Sequence, residues 1–122
     1  MHGKIRRMEK AGIIKAYRAV LDAKKLDRSA AAFILISVAY RPDESSRLVS
    51  QRDVAEELAR FPEVQEVHIV TGDWDILVKT RTRDVESLGK MIIDRLRIVK
   101  GVVRTLSCIV LDSIKETTEL NV

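Results

Sequence analysis

The sequence has little of what membrane proteins and small secreted proteins depend on. Its 122 residues include one cysteine and two prolines, and no apolar run approaches the roughly 20 residues that a membrane-spanning helix needs. Cys108 alone cannot form an internal disulfide, which favours a reducing compartment. The N-terminus has no apolar stretch typical of a signal peptide. We therefore expect a cytoplasmic globular protein that has no contact with a membrane.

The sequence also has little that would support catalysis or hold a cofactor. Its five glycines are too scattered for a phosphate-binding loop. His2 and His68 have no second histidine or cysteine nearby, so a metal site is not expected. Asp73 and Asp75 lie close together, but no nucleophile or general acid accompanies them. We expect neither an enzymatic activity nor a metal or cofactor.

What the sequence does have is an uneven distribution of charge. Residues 1–28 contain nine Lys and Arg against three Asp and Glu, a net charge of +6, whereas the rest of the chain contains 13 against 15. A short helix is predicted from Lys4 to Lys10, and Gly12 is placed to end it. Such a basic segment can attract nucleic-acid phosphates, although a solvated chain end is an equal alternative. The candidates for DNA contact are Lys4, Arg6, Arg7 and Lys10.

The spacing of apolar residues predicts an α+β fold. An extended strand is predicted over 13–21, followed by a polar connection over 22–28. The main body then reads strand 30–40, helix 46–60, strand 64–71, strand 75–82, helix 84–100 and strand 102–111, with a polar tail over 114–122. This order is that of the ferredoxin-like βαββαβ sandwich, a four-stranded antiparallel sheet with two helices on one face. We divide the chain into a linking part, 1–28, and a folded domain, 29–122.

The first strand of this domain is more apolar than such a fold requires. Phe33 to Val38 is apolar at nearly every position, and the strand from Val102 has apolar residues on both faces. The helices cover only one face of the sheet. Leaving the other face in water would cost several kcal/mol at about 25 cal/mol per Å². A second copy of the sheet is the simplest cover, so we predict a two-fold homodimer through the sheet faces.

Four blocks of sequence resemble the Lrp/AsnC (feast/famine) family of transcription regulators. Residues 66–79 resemble the central hairpin of its regulation-of-amino-acid-metabolism domain, and residues 101–111 and 114–116 resemble its fourth strand and its ending. Residues 4–17 resemble the close of the helix-turn-helix recognition helix and the strand that leaves it. The resemblance implies a domain that binds a free amino acid as a small-molecule effector and assembles into dimers, then into tetramers or octamers.

A complete member of this family would carry the other helices of the DNA-binding domain before Met1. A helix of fewer than ten residues without them is marginal in water, and docking in a major groove needs a packed scaffold. The resemblance thus implies that DNA is bound only if the missing helix-turn-helix is supplied. Two alternatives stay open: a sequence-specific DNA-binding regulator acting as this chain, and a partner that assembles with full-length relatives. A ferredoxin-like enzyme is the third and least expected.

The candidate effector site is the turn from Gly72 to Asp75. A purely structural turn accounts for the glycine and for Asp73, but not for the large ring of Trp74 where water is normally met. In the resembled family this hairpin lies at the contact between dimers and binds amino acids. Turn amides can meet a carboxylate, and an aspartate can meet an ammonium group. The resemblance assigns control of the response to Asp75, whose replacement by Ala is expected to abolish the ligand effect without unfolding the domain.

Two hydroxyl residues on the last predicted strand are the other candidates. Thr105 and Ser107 project from one face of that strand among aliphatic neighbours, where hydroxyl groups need hydrogen-bond partners. Hydrogen bonding across the sheet is one explanation. By the resemblance, the pair completes the amino-acid pocket opposite the hairpin.

Overall fold

The structure, a computed structural model, describes residues 2–39 and 48–121. None of the helices in these two ranges is long and apolar enough to cross a membrane. The elements in chain order are α1 (His2–Lys10), β1 (Ala30–Val38), α2 (Gln51–Leu58), β2 (Val64–Ile69), β3 (Ile76–Thr82), α3 (Val85–Met91, continued by a π-helix over Ile92–Leu96) and β4 (Val102–Ile109).

The four strands form one antiparallel sheet in the order β2-β3-β1-β4. The predicted α+β, ferredoxin-like fold is thereby confirmed. Both edge strands are irregular: the register shifts between Ser37 and Val38 where β1 meets β4, and between Val64 and Glu66 where β2 meets β3. The most apolar strand, β1, lies between β3 and β4, as its continuous run of apolar residues predicts.

The helices cover one face of this sheet, which we call the helix face. Ile34 and Ile36 of β1 have no exposed surface and pack with residues of both α2 and α3. Ile76 and Val78 of β3 lie opposite them in the register and are equally buried. The helix-face core also contains Val54, Ala55, Leu58, Leu88, Met91, Ile92 and Leu96.

The other face, which we call the open face, carries the alternate residues of the same strands. Leu35 lies between Leu77 of β3 and Leu106 of β4, while Phe33 lies next to Cys108. Phe33 is 38% exposed and Leu106 is 46% exposed. Cys108 is exposed as well, although it lies in an apolar stretch of sequence, because its side chain is on the uncovered face.

The two main helices begin at side-chain caps. Ser50 accepts a hydrogen bond from the Asp53 amide, and Asp53 accepts one from the Ser50 amide, which makes a capping box. The helix predicted over 46–60 is therefore too long, since this cap sets its start at Gln51 and Leu48 is 62% exposed; Ser46 lies outside the described residues. At α3 the cap is Asp84, which accepts a hydrogen bond from the Ser87 amide, and this bond lowers the pKa of the Asp84 carboxyl.

The helix α3 changes from α-helical to π-helical geometry, which keeps its buried residues on one side. Leu88, Ile92 and Leu96 are spaced by four and all are buried. In an α-helix that spacing drifts by about 40° per step, and the wider turn of the π-helix over Ile92–Leu96 removes part of the drift. Val85, at the start of the helix, is exposed and does not join these three residues in the core. Gly101 ends the segment at a φ of +99°, as its position predicts.

The linking part contains one predicted element and lacks another. The helix α1 is present, and Gly12 follows it at a φ of +77°, with the amides of Ile13 and Ile14 bonded to the Met8 carbonyl. The strand predicted over 13–21 is wrong, because residues 14–22 form no strand in the structure. An extended segment becomes a strand only when another strand supplies its hydrogen bonds, and a single chain offers this segment none.

Candidate functional site

The β2–β3 hairpin places its turn beyond the end of the sheet. The Val70 amide donates to the Asp75 carbonyl at 2.9 Å and closes the turn. Gly72 has a φ of +115° with open space around it, a conformation that favours glycine. Gly72 and Asp73 are exposed, whereas Trp74 and Asp75 are half-buried. The turn therefore offers an exposed tip above a base that is fixed to the fold.

Asp75 provides that fixed base. Its Oδ2 accepts a hydrogen bond from the Val38 amide at 2.8 Å, and its Oδ1 accepts one from Gln51 Nε2 at 2.7 Å. Its own amide donates to the Ile36 carbonyl at 2.9 Å. One residue thus ties the hairpin to the end of β1 and to the first residue of α2. Because both carboxylate oxygens are already bonded, we now expect Asp75→Ala to destabilise the domain as well, in contrast to the expectation from sequence.

Trp74 reaches across the end of β1 to the edge strand β4. The guanidinium carbon of Arg104 lies 4.6 Å from the centroid of the Trp74 ring, a cation–π arrangement. In the register Arg104 is the partner of Ser37, so its side chain belongs to the open face. The sequence analysis missed Arg104, although a single cation beside Thr105 in an otherwise apolar strand was a usable signal. It also missed Gln51, for which the sequence contains no signal.

Thr105 and Ser107 lie on the other side of the sheet from Arg104. Their register partners are Ile36 and Ile34, which are buried under the helices. Thr105 is half-buried and lines a shallow cavity of about 350 Å³ near Arg97, while Ser107 is exposed at the edge of the sheet. Within one chain, therefore, the structure does not bring this hydroxyl pair together with the hairpin tip.

The basic side chains of α1 all point to solvent. Lys4, Arg6, Arg7 and Lys10 are exposed, and Arg7 donates to the Gly3 carbonyl one turn earlier at 3.3 Å. Such an arrangement suits contacts to phosphates, whereas reading a base sequence needs a scaffold that holds the helix in a groove. Across residues 2–39 and 48–121, no group of three or more His, Cys, Asp or Glu is placed to hold a metal ion.

Comparison with known proteins decides the family. The family described as the Lrp/AsnC ligand binding domain matches residues 31–120. The chain belongs to the Lrp/AsnC family. It is 40% identical over 116 residues to an uncharacterized HTH-type transcriptional regulator of Pyrococcus abyssi, a match that covers 95% of this chain and 74% of that regulator. It is also 31% identical to the leucine-responsive regulatory protein of Klebsiella pneumoniae, over 96% of this chain and 68% of that protein.

The fold of the family member agrees with solved structures. A transcriptional regulator of Neisseria meningitidis, solved as a complex with L-Met, superimposes with a TM-score of 0.80 at 28% identity, over 97% of this chain and 73% of that one. The relatives named here are transcription regulators and not enzymes. The resemblance found in the sequence is therefore confirmed: this is the ligand-binding domain of an Lrp/AsnC transcriptional regulator.

Proposed function

We propose that this Lrp/AsnC domain senses a free amino acid at the hairpin and that binding there alters how the domain assembles. The observation that carries the proposal is the exposed tip, Gly72 and Asp73, held next to the stacked pair of Trp74 and Arg104. The L-Met complex of the Neisseria meningitidis regulator and the name of the leucine-responsive relative support an amino acid as the effector class.

The residues around the tip can recognise each part of an amino acid. The guanidinium of Arg104 and the amides of the turn suit a carboxylate, and the ring of Trp74 suits an apolar side chain. For the ammonium group we assign Asp73, because both oxygens of Asp75 already accept hydrogen bonds within the fold. Asp75 then acts as a positioning residue that holds the hairpin in place.

The open face supports assembly as a homodimer. Its centre is the apolar group of Phe33, Leu35, Leu77 and Leu106. Phe33 on the inner strand β1 and Leu106 on the edge strand β4 are both more than a third exposed. Burial of such a group against the same group of a second copy follows from two-fold symmetry. Because Thr105 and Ser107 lie apart from the tip in one chain, we propose that they join an effector pocket only where dimers meet in a tetramer or octamer.

Tryptophan emission gives a direct test, since Trp74 is the only tryptophan. Titration of the full chain with each of the common amino acids should change its emission for at least one of them, with a matching calorimetric heat. Asp73→Asn should then weaken binding by about tenfold or more, through loss of a charge-assisted hydrogen bond. Asp94→Asn, an exposed carboxylate on α3, is the matched control. If no amino acid gives either signal, the effector proposal is wrong.

A second function is favoured by one observation, the exposed cations of α1. In this alternative the chain itself binds a DNA sequence, or it associates with full-length relatives and changes how they bind. Gel-shift experiments should distinguish the two: binding by this chain alone that depends on sequence and survives moderate salt supports the first. A change only when a full-length relative is present supports the second.

A further inference from the structure

The C-terminal tail, residues 110–121, returns over the open face and is held there by one carboxylate. Glu116 Oε2 accepts a hydrogen bond from Lys79 Nζ at 2.6 Å. Arg81 Nη2 donates to both oxygens of Glu116, at 2.8 and 3.1 Å. The side chains of Lys79 and Arg81 are only 15% and 16% exposed. Two largely buried cations therefore converge on a single carboxylate from the tail.

Packing contributes little to this attachment. Val110 is half-buried and its amide donates to the Ala31 carbonyl at 2.9 Å, but the rest of the tail places its apolar side chains in solvent: Leu111, Ile114 and Leu120 are all exposed. Beyond Val110, the position of the tail on the sheet is therefore set mainly by the contacts of Glu116. This makes the attachment sensitive to the loss of one charge.

The charges of the cluster are balanced only when the tail is bound. Lys79 has a second anionic neighbour, Glu66, at 3.7 Å, and Glu66 is also hydrogen-bonded to His68. Arg81 has Glu116 as its anionic partner among the described residues. The hydrogen bond from Lys79 lowers the pKa of Glu116, so its carboxylate is charged at neutral pH. Release of the tail would leave the guanidinium of Arg81 without this anionic partner.

Arg81 also touches the point where the linking part enters the sheet. Its Nη1 lies 3.5 Å from the carbonyl oxygen of Arg28, two residues before β1. Next to it, Asp27 has a φ of +57°, and the hydroxyl of Ser29 donates to the Arg83 carbonyl at 3.3 Å. A groove of about 770 Å³ is lined by residues 18–24, the sheet and the tail together. The tail, β3 and the linking part therefore meet at one guanidinium.

We propose that Lys79 and Arg81 form a carboxylate-binding site for the chain's own tail, and that Glu116 bound there fixes the entry of the linking part into the sheet. Residues 11–28 of the linking part join α1 to the sheet, so a bound tail restricts how α1 can turn relative to the sheet. The role in regulation rests on the proposed sensing function. The physical coupling between tail and linking part does not, because no effector is needed for it.

Hydrogen exchange of the full chain, read by mass spectrometry, tests this coupling. The relevant amides are those of residues 24–28, which bond within the turn before β1 and to Asp22. With Glu116→Gln, exchange in 24–28 and in the tail should rise by about fivefold or more, while the amides shared by β1 and β3 stay unchanged. Glu119→Gln, three residues further along the tail, is the matched control and should change neither region.

Variants of the two cations separate the coupling from simple loss of the tail. Arg81→Gln removes the shared guanidinium and should raise exchange in both regions. Lys79→Gln removes a contact to the tail and the one to Glu66 but leaves Arg81 beside Arg28, so exchange in 24–28 should rise less than in Arg81→Gln. Glu116→Ala serves as a second variant, because a glutamine amide can still accept one hydrogen bond.

Two outcomes would overturn the proposal. If exchange in the tail rises in Glu116→Gln and Glu116→Ala while 24–28 stays unchanged, the tail is not coupled to the linking part. If neither region responds to either variant, Lys79 and Arg81 do not bind the tail. Trp74 emission checks the fold of each variant. Absence of amino-acid binding would defeat the sensing proposal but would leave these exchange rates as they are.

Discussion

The two faces of the sheet come from the same four strands but are held together by different forces. On the helix face, aliphatic side chains such as Ile34 and Ile36 are completely buried within the chain. On the open face, Phe33 and Leu106 stay partly exposed. At one end of this face the apolar residues are replaced by the charged cluster of Lys79, Arg81 and Glu116. The helix face provides the stability of a single copy, whereas the open face provides contacts that can form and break.

The largest effect is expected from a cavity on the helix face. Ile34→Ala should lower the free energy of unfolding by about 2 to 5 kcal/mol, because a fully buried side chain is removed and its neighbours relax only in part. Urea denaturation at several protein concentrations measures this. Leu106→Ala on the open face is the comparison, and its effect should be smaller and should depend on concentration. Equal, concentration-independent losses would contradict the difference between the faces.

A charge on the open face should separate the proposed dimer. Leu106→Glu would bury an unpaired carboxylate at the interface, so the dissociation constant should rise by about 100-fold or more. Sedimentation equilibrium measures the change. Ile93→Glu, at an exposed position on the π-helix, is the control and should leave the dimer intact. If the unaltered chain is a well-folded monomer at low concentration, the open face does not need a second copy and the dimer proposal is wrong.

Substitutions of the two hairpin aspartates should affect folding stability to different extents. Asp75→Asn should cost about 1 to 3 kcal/mol of folding free energy, because an amide cannot accept the hydrogen bonds of both Val38 and Gln51. Asp73→Asn should leave stability within about 0.5 kcal/mol, since surface substitutions rarely do more. Thermal unfolding compares the two variants. A larger loss of stability for the Asp73 variant would reverse the roles assigned here.

The smallest effect concerns acid sensitivity at the charged end of the open face. Hydrogen bonds lower the pKa of Glu66, chiefly through His68, and of Glu116, chiefly through Lys79, below the ordinary value of 4.5. Their stabilisation is therefore present above pH 4.5 and is lost as the pH falls through the folded values. Since both carboxylates are about half exposed, the contribution should stay below about 1 kcal/mol. Urea midpoints between pH 7 and pH 3 should be less pH-dependent in Glu116→Gln than in Glu119→Gln.

Local features of the fold could be predicted from the sequence, and long-range ones could not. The cap at Asp84, the stops at Gly12 and Gly101 and the order of strands and helices follow from neighbouring residues. The start of α2 was predicted too early because Ser46 and Ser50 are both suitable capping residues, and the sequence alone does not choose between them. The strand over 13–21 was predicted from alternation, but alternation does not supply a partner for its hydrogen bonds.

In the candidate site, too, local features could be predicted from the sequence and long-range contacts could not. The hairpin and its exposed tip could be predicted, because glycine and aspartate favour such turns. The partners of Asp75 could not, since Val38 and Gln51 lie 37 and 24 residues away. Which face Thr105 takes depends on the register of β4 against β1, and a shift of one residue would move it from the helix face to the open face. Sequence patterns alone do not fix that register.

The irregular edges of the sheet determine how such a domain can grow. Both edge strands carry a shift of register, between Ser37 and Val38 on one side and between Val64 and Glu66 on the other. Such irregularities twist an edge away from a flat geometry and hinder the addition of further strands. Copies that cannot join edge to edge are left to associate through faces and turns, which favours assemblies that close on themselves over open-ended fibres.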